Sequence, residues 1–316
     1  NITIDSEDIL IRYQNSADQN AAEYRASFTS RAELEHNRLR GNTLFSIDDI
    51  GSIAANITTQ GLSASSDIQG SIEGGFNNLR WLGGLFPQLE KLDGVLTSNI
   101  SASGQLATPK ADGVVSLSKV KMDLPELGLS LRDAGAKLAF DSRGPWQLDS
   151  TIPSGDGSLN ISGQGELGEL GGPTGQIQIS GENITALDRS EGMLVISPNI
   201  NTSITPELIK IRGSLDIAKG NYTLKALPDQ AAGVSVDERI VNSQSDKSKT
   251  QARSIDSRID ITLNDSFEFK GYGLSTRLGG KLKVSQKPEG LLQAFGSLSL
   301  YDGIYQAYGQ KLNVER

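Results

Sequence analysis

The 316-residue chain holds one histidine and no cysteine. The side chains that most often carry acid–base, nucleophilic or metal chemistry near neutral pH are therefore almost absent. His36 lies in RAELEHNRLRG among charged neighbours and reads as a surface residue, and without a thiolate it cannot complete a usual zinc site. A serine nucleophile would have His36 as its one imidazole base, and no G-x-S-x-G elbow occurs. GQGELG matches the dinucleotide fingerprint in letters at Gly163, Gly165 and Gly168. That fingerprint needs a helix after it, and GELGGPTG follows instead. Acid pairs such as Asp48 with Asp49 or Glu33 with Glu35 resemble glycosidase carboxylates, but 38 acidic residues scattered over the chain supply such pairs by chance. N-x-[S/T] triplets at Asn56, Asn99, Asn160 and Asn183 follow from polar residues alternating with isoleucine. The expectation is a non-enzyme with no metal and no cofactor.

Composition narrows the remaining classes. A net charge of −8 and a pI near 4.9 argue against nucleic acid, whose affinity is mostly counterion release onto Lys and Arg. With 36% hydrophobic residues, 5% aromatic residues and 35 glycines, material for a thick two-sided core is scarce, while turns and bulges are well supplied. No run approaches a membrane-spanning length of about 18 apolar residues. The chain opens directly into ITI and stops at LNVER, an alternating run without a turn, so it reads as a piece of a longer protein.

The dominant period is two, the mark of strands whose successive side chains face opposite ways. In RIDITLNDSFEFKG, Ile259, Ile261, Leu263, Phe267 and Phe269 share one parity, against Asp260, Thr262, Asn264, Ser266, Glu268 and Lys270. Similar alternation recurs from Ile2 and Ile4 to Leu282 and Val284. Asp-Gly pairs at 93, 112, 156 and 302, with Lys219-Gly220, suit tight hairpin turns. The chain reads as a long antiparallel meander.

GSLDIAKGNYTL (213–224) returns as GSLSLYDGIYQA (296–307). In both copies the apolar parity flips across a glycine, Gly220 or Gly303, so a turn or bulge there aims both arms at the same face. The motif reads as a hairpin unit that stacks, and Pro109, Pro206 and Pro288 punctuate similar units.

Two segments break the period. Residues 74–94 space Phe76, Leu79, Leu82, Phe86 and Leu89 at threes and fours, predicting a short amphipathic helix against the sheet's apolar face, or else on a membrane surface, with Gly83, Gly84 and Pro87 weakening its middle. Residues 228–258 are polar and charged and read as a mobile loop. The layout is thus an amino-terminal part of the sheet over 1–73, the helical segment, sheet repeats over 95–227, the loop, and carboxy-terminal repeats over 259–316.

The fold class expected is all-β: a long, highly curved antiparallel sheet of about twenty strands ~4.8 Å apart, folded lengthwise into a half-pipe with an apolar inner trough. Small inward residues (Ala55, Ala102, Gly163, Gly165) suggest a trough too wide to fill itself. Acyl chains suit such a slot, since each CH₂ removed from water gains about 0.8 kcal/mol without directional partners. The lining expected is Leu215, Ile217, Tyr222 and Leu224, then Ile259, Ile261, Leu263, Phe267 and Phe269, then Leu282, Val284, Leu298 and Leu300.

FPQLEKLDGVLTSNISASGQLATPKADGVVSLSKVKMDLPELGLSLRD, the doubled GSL motif, SVDERIV and FEFKGYGLSTRLGGKLKV also resemble the carboxy-terminal region of the TamB family of Gram-negative envelopes. The resemblance covers about residues 74–316; residues 1–73 share only the strand style. It implies a β-taco crossing the periplasm, anchored in the inner membrane by an amino-terminal helix and meeting an outer-membrane barrel of the BamA type (TamA). The family is similar to AsmA-like and bridge-type lipid transporters, which implies phospholipid transport towards the outer membrane. It is also associated with assembly of outer-membrane β-proteins such as autotransporters. Three functions follow: a conduit for phospholipid acyl chains, a scaffold whose strand edges template outer-membrane barrels, and a structural stalk with a dry interior.

Overall fold

The computed structural model describes residues 2–13, 22–86, 88–168, 172–224, 253–288, 290–307 and 310–314. They form one long, curved, open sheet. Its strands are β1 (Ile2–Tyr13), β2 (Ala22–Glu35), β3 (Arg38–Ile47), β4 (Gly51–Thr59), β5 (Ile68–Phe76), β6 (Glu90–Gln105), β7 (Thr108–Leu124), β8 (Leu129–Phe140) and β9 (Pro145–Ser154). There follow β10 (Gly157–Glu166), β11 (Thr174–Glu182), β12 (Ile184–Arg189), β13 (Gly192–Ile204), β14 (Leu208–Leu224), β15 (Ser254–Gly271), β16 (Leu274–Gln286), β17 (Gln293–Ala307) and β18 (Gln310–Val314).

From β1 to β11 each strand pairs antiparallel with its sequence neighbour. β11 and β12 lie end to end along β13. Pro198 sits in β13 between the stretches paired with β11 and β12, where a missing N–H costs the sheet least.

One pairing departs from the expected meander. β14 and β15 run parallel, Leu208 beside Ser254 through to Leu224 beside Gly271. Parallel neighbours need a crossover that carries the chain back along the whole strand. For the 17 residues of β14 that is up to ~56 Å at ~3.3 Å per residue. Residues 225–252 join the two strands in sequence and lie outside the described residues, and with them most of the polar loop expected at 228–258. Residues 254–258 of that stretch are strand and open β15.

The Asp-Gly signals mostly mark bulges and strand interiors instead of turns. Asp156 and Gly157 do lie at a hairpin, but Asp93-Gly94, Asp112-Gly113, Lys219-Gly220 and Asp302-Gly303 lie inside β6, β7, β14 and β17. Three of these coincide with register shifts, at 93–95, 217–220 and 301–304. Each GSL copy is therefore one long bulged strand and not a hairpin. Tight turns fall elsewhere: His36 and Asn37 have φ of 47° and 64°, as do Tyr272 and Gly273 at 50° and 81°, the paired left-handed conformation that matches strand twist. His36 is exposed at its turn, near Glu33, Glu35, Arg38 and Arg40.

The helix expected over 74–94 is reduced to a single 3-10 turn, Arg80–Gly84, without a side-chain cap. Residues 74–76 end β5 and 90–94 begin β6. Gly83 and Gly84 oppose helix propagation, and so short a segment does not repay helix nucleation.

Among the described residues a continuous buried cluster lies in the amino-terminal half. It joins Ala26, Ile47, Ile50, Phe76, Leu79, Leu92, Val120 and Ala134. On β7, Asp123 ties three strands together: it accepts from Lys91 Nζ at 2.9 Å, Arg132 at 3.0 Å and the Ser130 hydroxyl at 2.7 Å. Desolvation pushes its carboxyl up, and the hydrogen bonds from Lys91, Ser130 and Arg132 outweigh this, holding it at about 2 against an ordinary 3.8. A depressed carboxylate stabilises the fold above the unfolded pKa, and the gain disappears as pH falls through the folded one. Asp123→Asn is expected to cost roughly 1–2 kcal/mol at pH 7. In thermal melts the gap from the unmodified protein should close as pH is lowered from about 5 to about 2.

Candidate functional site

β13 to β17 align the expected lining residues into rows across the sheet. Ile200, Gly213, Ile259, Val284 and Ala294 form one row; Pro198, Leu215, Ile261, Leu282 and Gly296 form the next. Ile196, Ile217, Leu263, Gly280 and Leu298 follow, then Leu194, Gly220, Phe267, Leu278 and Leu300. Beyond these, Tyr222 pairs with Phe269, and Leu224, Gly271, Leu274 and Tyr305 align. Every lining residue named from the sequence thus stands on one face. Intervening rows are polar, such as Asn199, Ser214, Asp260 and Lys283, or Ser197, Asp216, Thr262 and Lys281.

Keeping this face intact through long strands requires correction between the third and fourth rows. There β14 advances from Ile217 to Gly220 and β15 from Leu263 to Phe267, while β16 steps regularly from Gly280 to Leu278 and β17 from Leu298 to Leu300. The neighbouring strand β13 steps regularly there, Val195 and Ile196 facing Lys219 and Ile217 across the β14 bulge. Bulges bend a strand and raise its twist. Two of them side by side, in β14 and β15, make a crease along the trough; the β14 bulge explains the parity flip of the first motif copy, and the bulge at 301–304 in β17 explains that of the second. Gly220 belongs to this crease: a Cβ there would stand 2.9 Å from the Phe267 ring, so the ring occupies the space that a side chain would need.

The face is open. No lining residue named from the sequence falls in the buried class; Tyr222, Leu298 and Leu300 are 39%, 41% and 40% exposed. Leu194, Ile196 and Ile200 of β13 continue the same rows and were missed because Met193 to Ile196 are four consecutive apolar residues, which declare no face. Leu274 and Leu278 were missed because Gly279 and Gly280 break up the apolar run.

Charge is confined to the other face and the rims. Arg212 bonds the Asp256 carboxylate at 2.7 Å and its backbone oxygen at 2.9 Å, joining the parallel pair β14 and β15. The Arg212 hydrogen bond holds the Asp256 carboxyl below its ordinary range. Arg277 pairs with Asp302 beside the β17 bulge. Among the described residues no cluster of three or more His, Asp or Glu is placed to hold a metal, and no helix is long and apolar enough to cross a membrane. Gly163 and Gly165 of the fingerprint-like GQGELG lie within β10, and Asp48 and Asp49 are exposed at a turn. The trough offers apolar contact along its length.

Comparison with known proteins matches residues 147–316 to the TamB C-terminal domain family and residues 1–117 to the TamB N-terminal domain family. The second match takes in the first 73 residues, where the sequence shows only a common strand style. The translocation and assembly module subunit TamB of Haemophilus influenzae is 26% identical over 306 residues, 93% of this chain and 23% of that protein. The chain therefore spans less than a quarter of that relative's length. No solved structure matches it significantly.

Deleting Ala218, inside the β14 bulge, should turn Tyr222 and Leu224 to the polar face or slip the ladder, costing more than about 3 kcal/mol. Ala218→Gly keeps the residue count and should cost within about 1 kcal/mol. Denaturant unfolding of the two variants makes the comparison.

Proposed function

The chain belongs to the TamB family, and on that premise we propose that its trough is a non-enzymatic conduit holding phospholipid acyl chains between the inner and outer membranes of a Gram-negative envelope. The observation that carries this reading is the continuous apolar face of β13 to β17, left half-exposed where a dry interior would be closed. A soluble protein rarely exposes a contiguous apolar patch beyond a few hundred Å² unless something binds there. Acyl chains need contact without directional hydrogen bonds, and the rows supply it. Headgroups remain in water beyond the rims. In this reading the chain works in the periplasm as part of a longer protein, with an inner-membrane anchor at one end and a BamA-type outer-membrane barrel, TamA, at the other. No nucleic acid, metal or cofactor takes part.

A second reading, a scaffold for assembling outer-membrane β-barrels, has one observation in its favour. Among the described residues β18 pairs only with β17, and an unpaired edge can accept a client strand by β-augmentation. It assigns the work to backbone at the edge and not to the trough.

Photo-crosslinking side chains placed one at a time along β14 and β15 of the full-length protein in cells separate the two. The conduit predicts phospholipid adducts at 217 and 261 and none at 260 or 262. Equal labelling on both parities contradicts it. Adducts to nascent barrel strands from 311 or 313, with lipid transport intact, favour the scaffold.

A further inference from the structure

The apolar face is not equally open along the sheet. In the carboxy-terminal half its lining residues are half-buried to exposed, but over β1 to β6 the chain covers it with its own residues 77–86. We propose that this segment is an autoinhibitory plug, occupying with its own side chains a part of the trough that would otherwise take acyl chains. The proposal rests on the conduit reading and assigns one stretch of that conduit.

The floor beneath the segment continues the same design. Ala26, Ile47, Gly51, Phe76 and Leu96 form one row, and Phe28, Phe45, Ile53 and Gly74 form the next. Onto it residues 77–86 lay Leu79, Trp81 and Leu82. The Trp81 ring stands 5.6 Å from Phe45 and 5.1 Å from Phe76, which are 5.9 Å from each other. The 3-10 turn leaves β5 and packs back against β1, with Ile9 and Ile11 against the same cluster. Burial here is deeper than in the open half: Ile47 is 2% exposed and Phe76 and Leu79 are 3%, against 6% for Val195 of β13 and 5% for Thr276 of β16.

Few directional bonds hold this cover down. Asn77 N donates to Ile50 O at 3.0 Å, and Arg80 pairs with the Asp93 carboxylate at 3.0 Å. The rest of its hydrogen bonding among the described residues is local, as in Leu82 N to Leu79 O and Arg80 N to Asn78 Oδ1. Trp81 Nε1 is buried without a hydrogen-bond partner, a cost that ends when the ring moves into water. Leu85 and Phe86, 68% and 42% exposed, extend the segment's apolar surface beyond the floor it covers. A ladder-bonded strand cannot be replaced by a lipid tail. A cover held by leucine and indole contacts can be, because an alkyl chain restores the same contacts.

The test places a photo-crosslinker at Ile53, beneath the plug, or at Ile261, in the open trough, of the full-length protein in cells. Each is examined in the unmodified sequence, with Trp81→Ala plus Leu82→Ala, and with residues 79–86 replaced by a Gly-Ser linker. The expected result is phospholipid captured from 261 in all three, and from 53 at background in the unmodified protein but at the 261 level in both variants. Capture at 261 doubles as proof that a variant has folded. Strong capture at 53 in the unmodified protein overturns the plug, as does a silent 53 in both variants while 261 still labels. Silence at 261 in the unmodified protein overturns the conduit reading, and this inference with it.

Discussion

The structure depends on one constraint, that side chains on a strand alternate between faces with a period of two. Strands as long as the 17 residues of β14 and the 18 of β15 cannot bend into a trough without irregularity, and one extra residue on its own would invert every later side chain. The bulges resolve both demands at once. Residues 218–219 in β14 and 264–266 in β15 lie side by side, so the strands bend together and Tyr222, Leu224, Phe267 and Phe269 stay on the same face as Ile217 and Leu263. Position in the register decides which side chains meet the trough, and hydrophobicity alone does not: Phe295 pairs with Lys283 on the polar face and is 60% exposed.

Polar residues on the outer face make such a sheet tolerable in water. Asn42, Asn56 and Ser71 form a hydrogen-bonded ladder across β3 to β5 at 2.9 and 3.3 Å, and Ser27 with Ser46 does the same across β2 and β3 at 2.7 Å. These cross-strand pairs add small increments and keep one face wet. Energy of folding is concentrated where the inner face is covered, in the aromatic triad of Phe45, Phe76 and Trp81 and the cluster around it. The sheet is thus a packed core at one end and an unfilled surface at the other, built from the same alternating pattern. An apolar surface left bare by an otherwise well-paired sheet is the feature that a purely structural stalk does not explain.

The all-β class and the face assignment were legible because alternation is local: Ile259, Ile261 and Leu263 declare their face within five residues. The parity flip at Gly220 was also legible, but its cause was not. A turn and a bulge both change parity, and only pairing partners distinguish them; β14 continues through Gly220 to Leu224. The parallel pairing of β14 with β15 was hidden for the same reason, since a single strand carries no mark of its neighbour's direction. Helical spacing at Phe76, Leu79, Leu82 and Phe86 correctly located a segment lying on the apolar face. It overstated the helix, because Leu79 and Leu82 reach the floor from one short 3-10 turn and its flank, Phe76 belongs to the floor itself and Phe86 lies exposed beyond it. Covering of β1 to β6 while β13 to β17 stay bare depends on contacts far apart in sequence, such as Trp81 with Phe45, and no periodicity records them.

The most direct test of the central claim is mass spectrometry of organic extracts from the protein purified without detergent, beside an Ile261→Asp variant of equal thermal stability. An open apolar trough predicts phospholipid in near-stoichiometric amounts with the unmodified protein and its loss from the variant. Protein that comes away free of lipid, or a variant that retains it fully, would contradict the account.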